Sequence, residues 1–128
     1  LMGVLVRGRD HDEPKLSAET PFDTAMDEWR RDQREMSFLI GHRLLHGKID
    51  AKDVAAHWSG LANATITQMA DAAVGETIRR YGEAPGTFAV FALGKLGGME
   101  MTAGSDLDII LIYSADDLEA QSWFTRLT

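Results

Sequence analysis

Leu93-Gly94-Lys95-Leu96-Gly97-Gly98-Met99-Glu100-Met101-Thr102-Ala103-Gly104-Ser105-Asp106-Leu107-Asp108 is the stretch on which the reading of this 128-residue chain turns. It lies between two apolar runs. Before it, Thr87-Phe88-Ala89-Val90-Phe91-Ala92-Leu93 is short, continuous and preceded by glycine, which suits a buried strand. After it, Leu107, Ile109, Ile110, Leu111, Ile112 and Tyr113 make a run rich in β-branched residues, read as a second buried strand over Leu107 to Tyr113. The glycine-rich turn region runs from Gly94 to Ser105, with a short helix expected around Met99 to Met101. Alternate side chains of a strand share a face, so Asp106 and Asp108 are expected side by side. Two adjacent carboxylates repel unless a cation lies between them. Hard oxygen donors and a need to bind phosphate favour Mg²⁺, with Mn²⁺ as the alternative. Gly97 and Gly98 carry no side chain to keep backbone amides from a triphosphate, and Ser105 or its neighbouring amides can add hydrogen bonds.

Each part alone has a plainer reading. An isolated Gly-Gly is usually a turn, and an isolated Asp-x-Asp at a strand edge is usually a solvated edge device. The order strand, Gly-Gly, spacer, Ser-Asp-Leu-Asp, strand is what points to a site for nucleotide and metal. Lys95 either touches phosphate or is simply solvated in its turn, and Glu100 reads first as a surface residue.

Upstream, Thr20-Pro21-Phe22-Asp23 is a helix start: a capping hydroxyl, a proline with no amide to lose, and an acid at the positive end of the dipole. Phe22, Met26, Trp29, Gln33, Met36, Ile40 and Leu44 then recur as one stripe, which predicts a helix from Phe22 to about His46, stopped by Gly47. Asp50 is expected to cap a second helix running to Tyr81 and ended by Gly82, with Arg79 and Arg80 in its last turn. Its predicted stripe is Val54, Trp58, Leu61, Thr65, Met69, Ala72 or Ala73, and Glu76. Gly60 and Gly75 allow a local break or a close helix contact. The two helices should pack as an antiparallel hairpin, with Trp29, Met36, Trp58 and Met69 in the core. His42 and His46 have i,i+4 metal spacing without a third ligand, so these and His57 read as ordinary helix histidines.

Residues 1–20 read as the end of a preceding element followed by a charged linker, and residues 21–82 as the hairpin. The tail from Ser114 is an acidic loop followed by the start of a helix at Trp123-Phe124-Thr125-Arg126-Leu127. Two strands make a marginal sheet, so the chain is expected to be a piece of a larger fold. Composition narrows the function classes. With 13 basic and 20 acidic residues the formal charge is −7, which disfavours nucleic acid as a partner. The absence of cysteine removes disulfides, thiolate metal sites and cysteine nucleophiles, and tilts the compartment towards the cytoplasm. No apolar run approaches the length of a membrane span, so a membrane partner is not expected.

The wording Gly94-Lys95-Leu96-Gly97-Gly98-Met99-Glu100-Met101, followed by Gly104-Ser105-Asp106-Leu107-Asp108, resembles the signature of the bifunctional glutamine synthetase adenylyltransferase/adenylyl-removing enzymes of the DNA polymerase β-like nucleotidyltransferase superfamily. Trp29-Arg30-Arg31-Asp32-Gln33-Arg34-Glu35 and the second helix resemble the helical segment that precedes the catalytic sheet in that family. The resemblance implies an α+β fold, a long helical hairpin followed by part of a polymerase β-like mixed sheet, with residues 87–128 as the N-terminal part of a truncated catalytic domain. It implies transfer of AMP from ATP to a tyrosine hydroxyl of glutamine synthetase, or its removal by phosphorolysis, and the wording is closer to the adenylylating half of α-proteobacterial members. Asp106 and Asp108 would be the catalytic metal ligands for Mg²⁺, and Gly97, Gly98, Ser105 and Lys95 would hold the nucleotide. Glutamine synthetase and a nitrogen-signalling regulatory protein are the implied partners. The family requires a third acidic ligand on a later strand. Asp116, Asp117 and Glu119 lie in the wrong context to replace it, so the chain by itself is expected to be catalytically silent. The competing readings are a silent nucleotidyltransferase-like module that binds glutamine synthetase or a signalling protein, and a small-molecule nucleotidyltransferase.

Overall fold

The computed structural model describes residues 3–7 and 22–128. The capping pair Thr20-Pro21 and most of the expected linker lie outside the described residues. The elements run β1 (Gly3–Arg7), α1 (Phe22–Leu45), α2 (Ala51–Tyr81), β2 (Phe88–Ala92), α3 (Gly94–Gly97), β3 (Ile109–Tyr113) and α4 (Leu118–Leu127). The chain is α+β, with two long helices packed together between the first and second strands of a small sheet.

The sheet has the order β1-β2-β3, and both pairings are antiparallel. The mixed pairing expected from sequence is therefore not present among the described strands. The predicted neighbours are adjacent: Phe88 faces Tyr113, Val90 faces Leu111 and Ala92 faces Ile109. The third strand, β1, falls where the sequence predicts only the end of a preceding element. It pairs with β2 from Gly3 opposite Ala92 to Arg7 opposite Ala89, with an irregularity between Val4 and Val6. This pairing joins segments more than eighty residues apart, so no local pattern announces it.

Phe88, Val90 and Ala92 alternate inward along β2 and meet Ala62 and Ile66 of α2, Leu96, Met101, and Trp123 and Phe124 of α4 in one buried cluster. Phe124 is wholly buried, its ring stacked 4.6 Å from that of Tyr113. Trp123 stands edge-on to it and donates its Nε1–H to the Gly82 carbonyl at 3.0 Å, which pins α4 to the end of α2. The strand β3 differs from the prediction on both faces: Ile109 and Tyr113, opposite the buried Ala92 and Phe88, are 44% and 36% exposed, and only Leu111 is partly buried. Ile110 and Ile112 are 40% and 50% exposed, and they lie opposite Phe91 and Ala89, which are only partly buried. Both faces are apolar in composition, but the described helices that join the core cluster cover one of them.

α2 runs unbroken through Gly60 and Gly75, and a Cβ at either would meet nothing within 4 Å, so these glycines mark neither a break nor a close contact. Its buried positions are Ser59, Ala62, Ile66 and Thr77, which is a different stripe from the predicted one. Of the predicted stripe, Trp58 does pack against the core cluster, whose α2 members are Ala62 and Ile66. Met36 and Met69 are 47% and 36% exposed, so neither belongs to the core of these residues. Asp50 sits at the cap position with extended backbone, but its side chain makes no capping bond, and its backbone carbonyl instead accepts from the Asp53 and Val54 amides. No helix among the described residues is long and apolar enough to cross a membrane.

Candidate functional site

The connection from β2 to β3 carries every predicted site residue, and its first half is firmly built. Leu93 donates its N–H to the Asp108 carbonyl at 2.7 Å, which extends the β2–β3 ladder one step beyond the strands proper. Gly94 then turns the chain at φ +51°, a conformation that costs a residue with a Cβ. The Cβ it lacks would run into the Asp108 carboxylate, so Gly94 is also what lets that side chain lie against the backbone.

The single helical turn α3 comes next, with Leu96 buried at 2% exposure. It occupies Gly94–Gly97 and not the expected Met99 to Met101, because the buried side chain that seats the turn on the core is Leu96. The amides expected to face a triphosphate are engaged here. Gly97 N–H donates to the Leu93 carbonyl at 2.9 Å, Gly98 to Gly94 at 3.0 Å, Met99 to Leu96 at 3.1 Å and Glu100 to Lys95 at 2.8 Å. What Gly97 and Gly98 offer a ligand in this arrangement is the close approach allowed by a missing side chain. Gly98 has φ −86°, and a Cβ on it would make only ordinary contacts at 3.5 Å or more. Lys95 is exposed on α3.

Met99, at φ +60°, redirects the chain, and Met101 returns it to the core at 4% exposure. The next turn is closed by Ser105, whose Oγ accepts from the Thr102 amide at 2.9 Å and lies 2.9 Å from the Thr102 Oγ1, while its own N–H donates to the Thr102 carbonyl at 3.1 Å. The hydroxyl expected to reach nucleotide thus holds its own turn. Asp106 and Asp108 are exposed and precede β3, which begins at Ile109 and not at Leu107. Asp106 therefore stands in irregular backbone rather than in strand alternation.

These two carboxylates fit a hard divalent cation in kind, with water and phosphate oxygens completing its shell. Among the described residues no group of three or more His, Cys, Asp or Glu is placed to hold a metal. Asp117 is occupied elsewhere: its Oδ1 accepts from the Ala120 amide at 2.8 Å and caps α4. The rings of His42 in the last turn of α1 and of His46 just beyond it lie 4.2 Å apart, and no third ligand joins them among the described residues.

Two residues that support the site are not singled out by sequence reasoning: Gly94, for the space it leaves, and Ser59 on α2, whose buried hydroxyl accepts from the Met101 amide at 3.4 Å. The signal for Gly94 is its place immediately after a strand. For Ser59 there is none, because a serine between Trp58 and Gly60 reads as surface.

A family model for glutamate-ammonia ligase adenylyltransferase matches residues 8–128. The chain is 46% identical over 101 residues to a bifunctional glutamine synthetase adenylyltransferase/adenylyl-removing enzyme of Caulobacter vibrioides, covering 79% of this chain and 10% of that protein. Proteins of the same name from Brucella suis and Mesorhizobium japonicum are 40% and 36% identical, covering 79% and 88% of the chain. The chain spans 10% to 13% of the length of these curated relatives. No solved structure matches it.

Proposed function

Because the chain belongs to the glutamate-ammonia ligase adenylyltransferase family, we propose that its β2–β3 connection forms part of a nucleotidyl-transfer site acting on glutamine synthetase. In this reading a tyrosine hydroxyl of that enzyme loses its proton to solvent as its oxygen attacks the α-phosphorus of ATP and the bond to pyrophosphate breaks; in the removing activity orthophosphate attacks the same phosphorus, the bond to tyrosine breaks, and ADP and the free hydroxyl result. The strand, glycine turn, strand order of the motif supports a site of the polymerase β-like kind.

The observation that carries the reading is the pairing of Asp108 with Gly94. A carboxylate is seated over a residue with no side chain, at the mouth of a turn whose backbone is already satisfied, and a second carboxylate lies two residues away. Asp106 and Asp108 would hold Mg²⁺, which when bound supplies neutralisation of charge on the phosphate oxygens. The remaining work falls to the chain itself. Gly97 and Gly98 leave room for the phosphates to approach α3, Lys95 adds a cation at the same turn, and Ser105 keeps the segment before Asp106 closed. A module that binds without chemistry would not need the Asp108 carboxylate seated against Gly94, and this contact is what favours the transfer reading.

The test is incorporation of labelled AMP from ATP into glutamine synthetase by the full-length protein that carries these residues, with the modified side chain identified by mass spectrometry. Label on a tyrosine, dependent on Mg²⁺ or Mn²⁺, is the expected outcome. Tight binding to glutamine synthetase with neither incorporation nor phosphorolysis would replace this reading with the silent binding module.

A further inference from the structure

Ser59 is the one residue of α2 with 0% exposure, and it is polar. It lies on the side of the helix that meets the core through Ala62 and Ile66. A hydroxyl in such a place is unfavourable unless it is paired, and alanine would fill the same helical position without that cost. Its partner is the Met101 amide, 42 residues on in the sequence. Met101 is itself buried, so its N–H has few other ways to be satisfied.

The place where this bond falls gives it a consequence. The chain leaves α3 through Met99 in a left-handed conformation, which by itself sets no direction for the loop beyond. Fixing Met101 sets it. From Met101 the chain passes through the closed Thr102–Ser105 turn directly to Asp106. At the far end, Asp108 is fixed by its carbonyl to the Leu93 amide. The exposed segment with both carboxylates is thus held at one end by the sheet and at the other by the helical hairpin.

We propose that Ser59 is a positioning residue for nucleotidyl transfer, holding the Met101 end of the loop so that Asp106 keeps its place relative to Asp108. This role rests on the proposed transfer activity and extends the site to α2, which becomes one wall of its support.

The test compares two hydroxyl deletions on α2 in the full-length enzyme. Ser59→Ala removes the bond to the loop. Thr77→Val removes a buried hydroxyl that bonds within the helix, to the Ala73 carbonyl at 2.7 Å. With the folded fraction of each measured by thermal denaturation, Ser59→Ala is expected to lower kcat for AMP transfer about tenfold with little change in KM for ATP, the mark of an interaction that matters in the transition state. Amide exchange over Met101 to Ser105 should rise in the same variant. Thr77→Val should keep kcat within about twofold, because its lost bond is remote from the loop. Equal losses in the two variants, or unchanged loop exchange in Ser59→Ala, would overturn the role while wild-type transfer left the functional reading standing. A wild-type enzyme that transfers no AMP would overturn both.

Discussion

The two halves of the β2–β3 connection are built on opposite principles. From Leu93 to Met101 the chain is anchored: Leu96 and Met101 are buried, and successive amides from Gly97 to Glu100 are spent within the turn. From Thr102 to Asp108 it is displayed, with every residue exposed except the partly buried Ser105. The first half supplies apolar burial and satisfied backbone, and the second supplies charge. A reacting constellation needs both, since side chains on a loop hold their geometry only as well as the residues beneath them allow. The contrast therefore assigns the support and the approach of phosphate to one half and the paired carboxylates to the other.

The largest effect should come from undermining the anchored half. Leu96→Ala removes a buried side chain from the core and should cost about 2 to 5 kcal/mol in denaturant unfolding; a loss below about 1 kcal/mol, under the usual range for such a deletion, would mean that the turn is not seated as described. Gly94→Ala attacks the junction between the halves. The new methyl displaces the Asp108 carboxylate and strains a left-handed residue, so AMP transfer should fall about a hundredfold, the scale of an ångström-sized misplacement of a reacting group. Gly98→Ala is the sharper comparison, because its backbone and surroundings accept a Cβ. Its thermal midpoint should stay within a few degrees while KM for ATP rises about tenfold, which amounts to roughly 1.4 kcal/mol of lost approach. Unaltered kinetics would remove Gly98 from the nucleotide's path.

The smallest effect lies outside both halves. Glu76 on α2 accepts from Arg79 at 2.9 and 2.7 Å and from Arg80, and these guanidinium hydrogen bonds, Arg79 first, hold its carboxyl below the ordinary value of 4.5. A carboxylate with a lowered folded-state pKa stabilises the fold above its unfolded pKa, and that contribution is lost as pH falls through the folded value. Glu76→Gln should therefore be slightly less stable than the parent at about pH 6, and the two should converge as pH falls through the lowered folded-state value, where the carboxyl takes up its proton. A difference that persists into acid would mean that packing and not charge is responsible.

Much of this architecture is legible in the residues. The helix ends at Gly47 and Gly82, the adjacency of the two apolar strands and the position of the candidate site residues between them all follow from local pattern. Three features resist that reading for physical reasons. The β1 pairing is non-local. The buried positions of α2 are Ser59, Ala62, Ile66 and Thr77, two of them polar and one alanine, so a search for bulky apolar spacing recovers only part of that side. In the loop, residue types are readable but hydrogen-bond partners are not: Ser105 and the Gly97-Gly98 amides have the chemistry to bind phosphate, and the fold uses it to close their own turns.

The central claim is that the displayed half works through its carboxylates. The direct measurement is AMP transfer by the full-length enzyme with Asp106→Asn or Asp108→Asn, each shown to be folded by its thermal midpoint. Asparagine keeps the volume and removes the charge that would meet the metal, so each variant should lose transfer by orders of magnitude with its fold intact. Activity within about tenfold of the parent in either variant, against that expectation for a metal ligand, would contradict the assignment of that residue to the site.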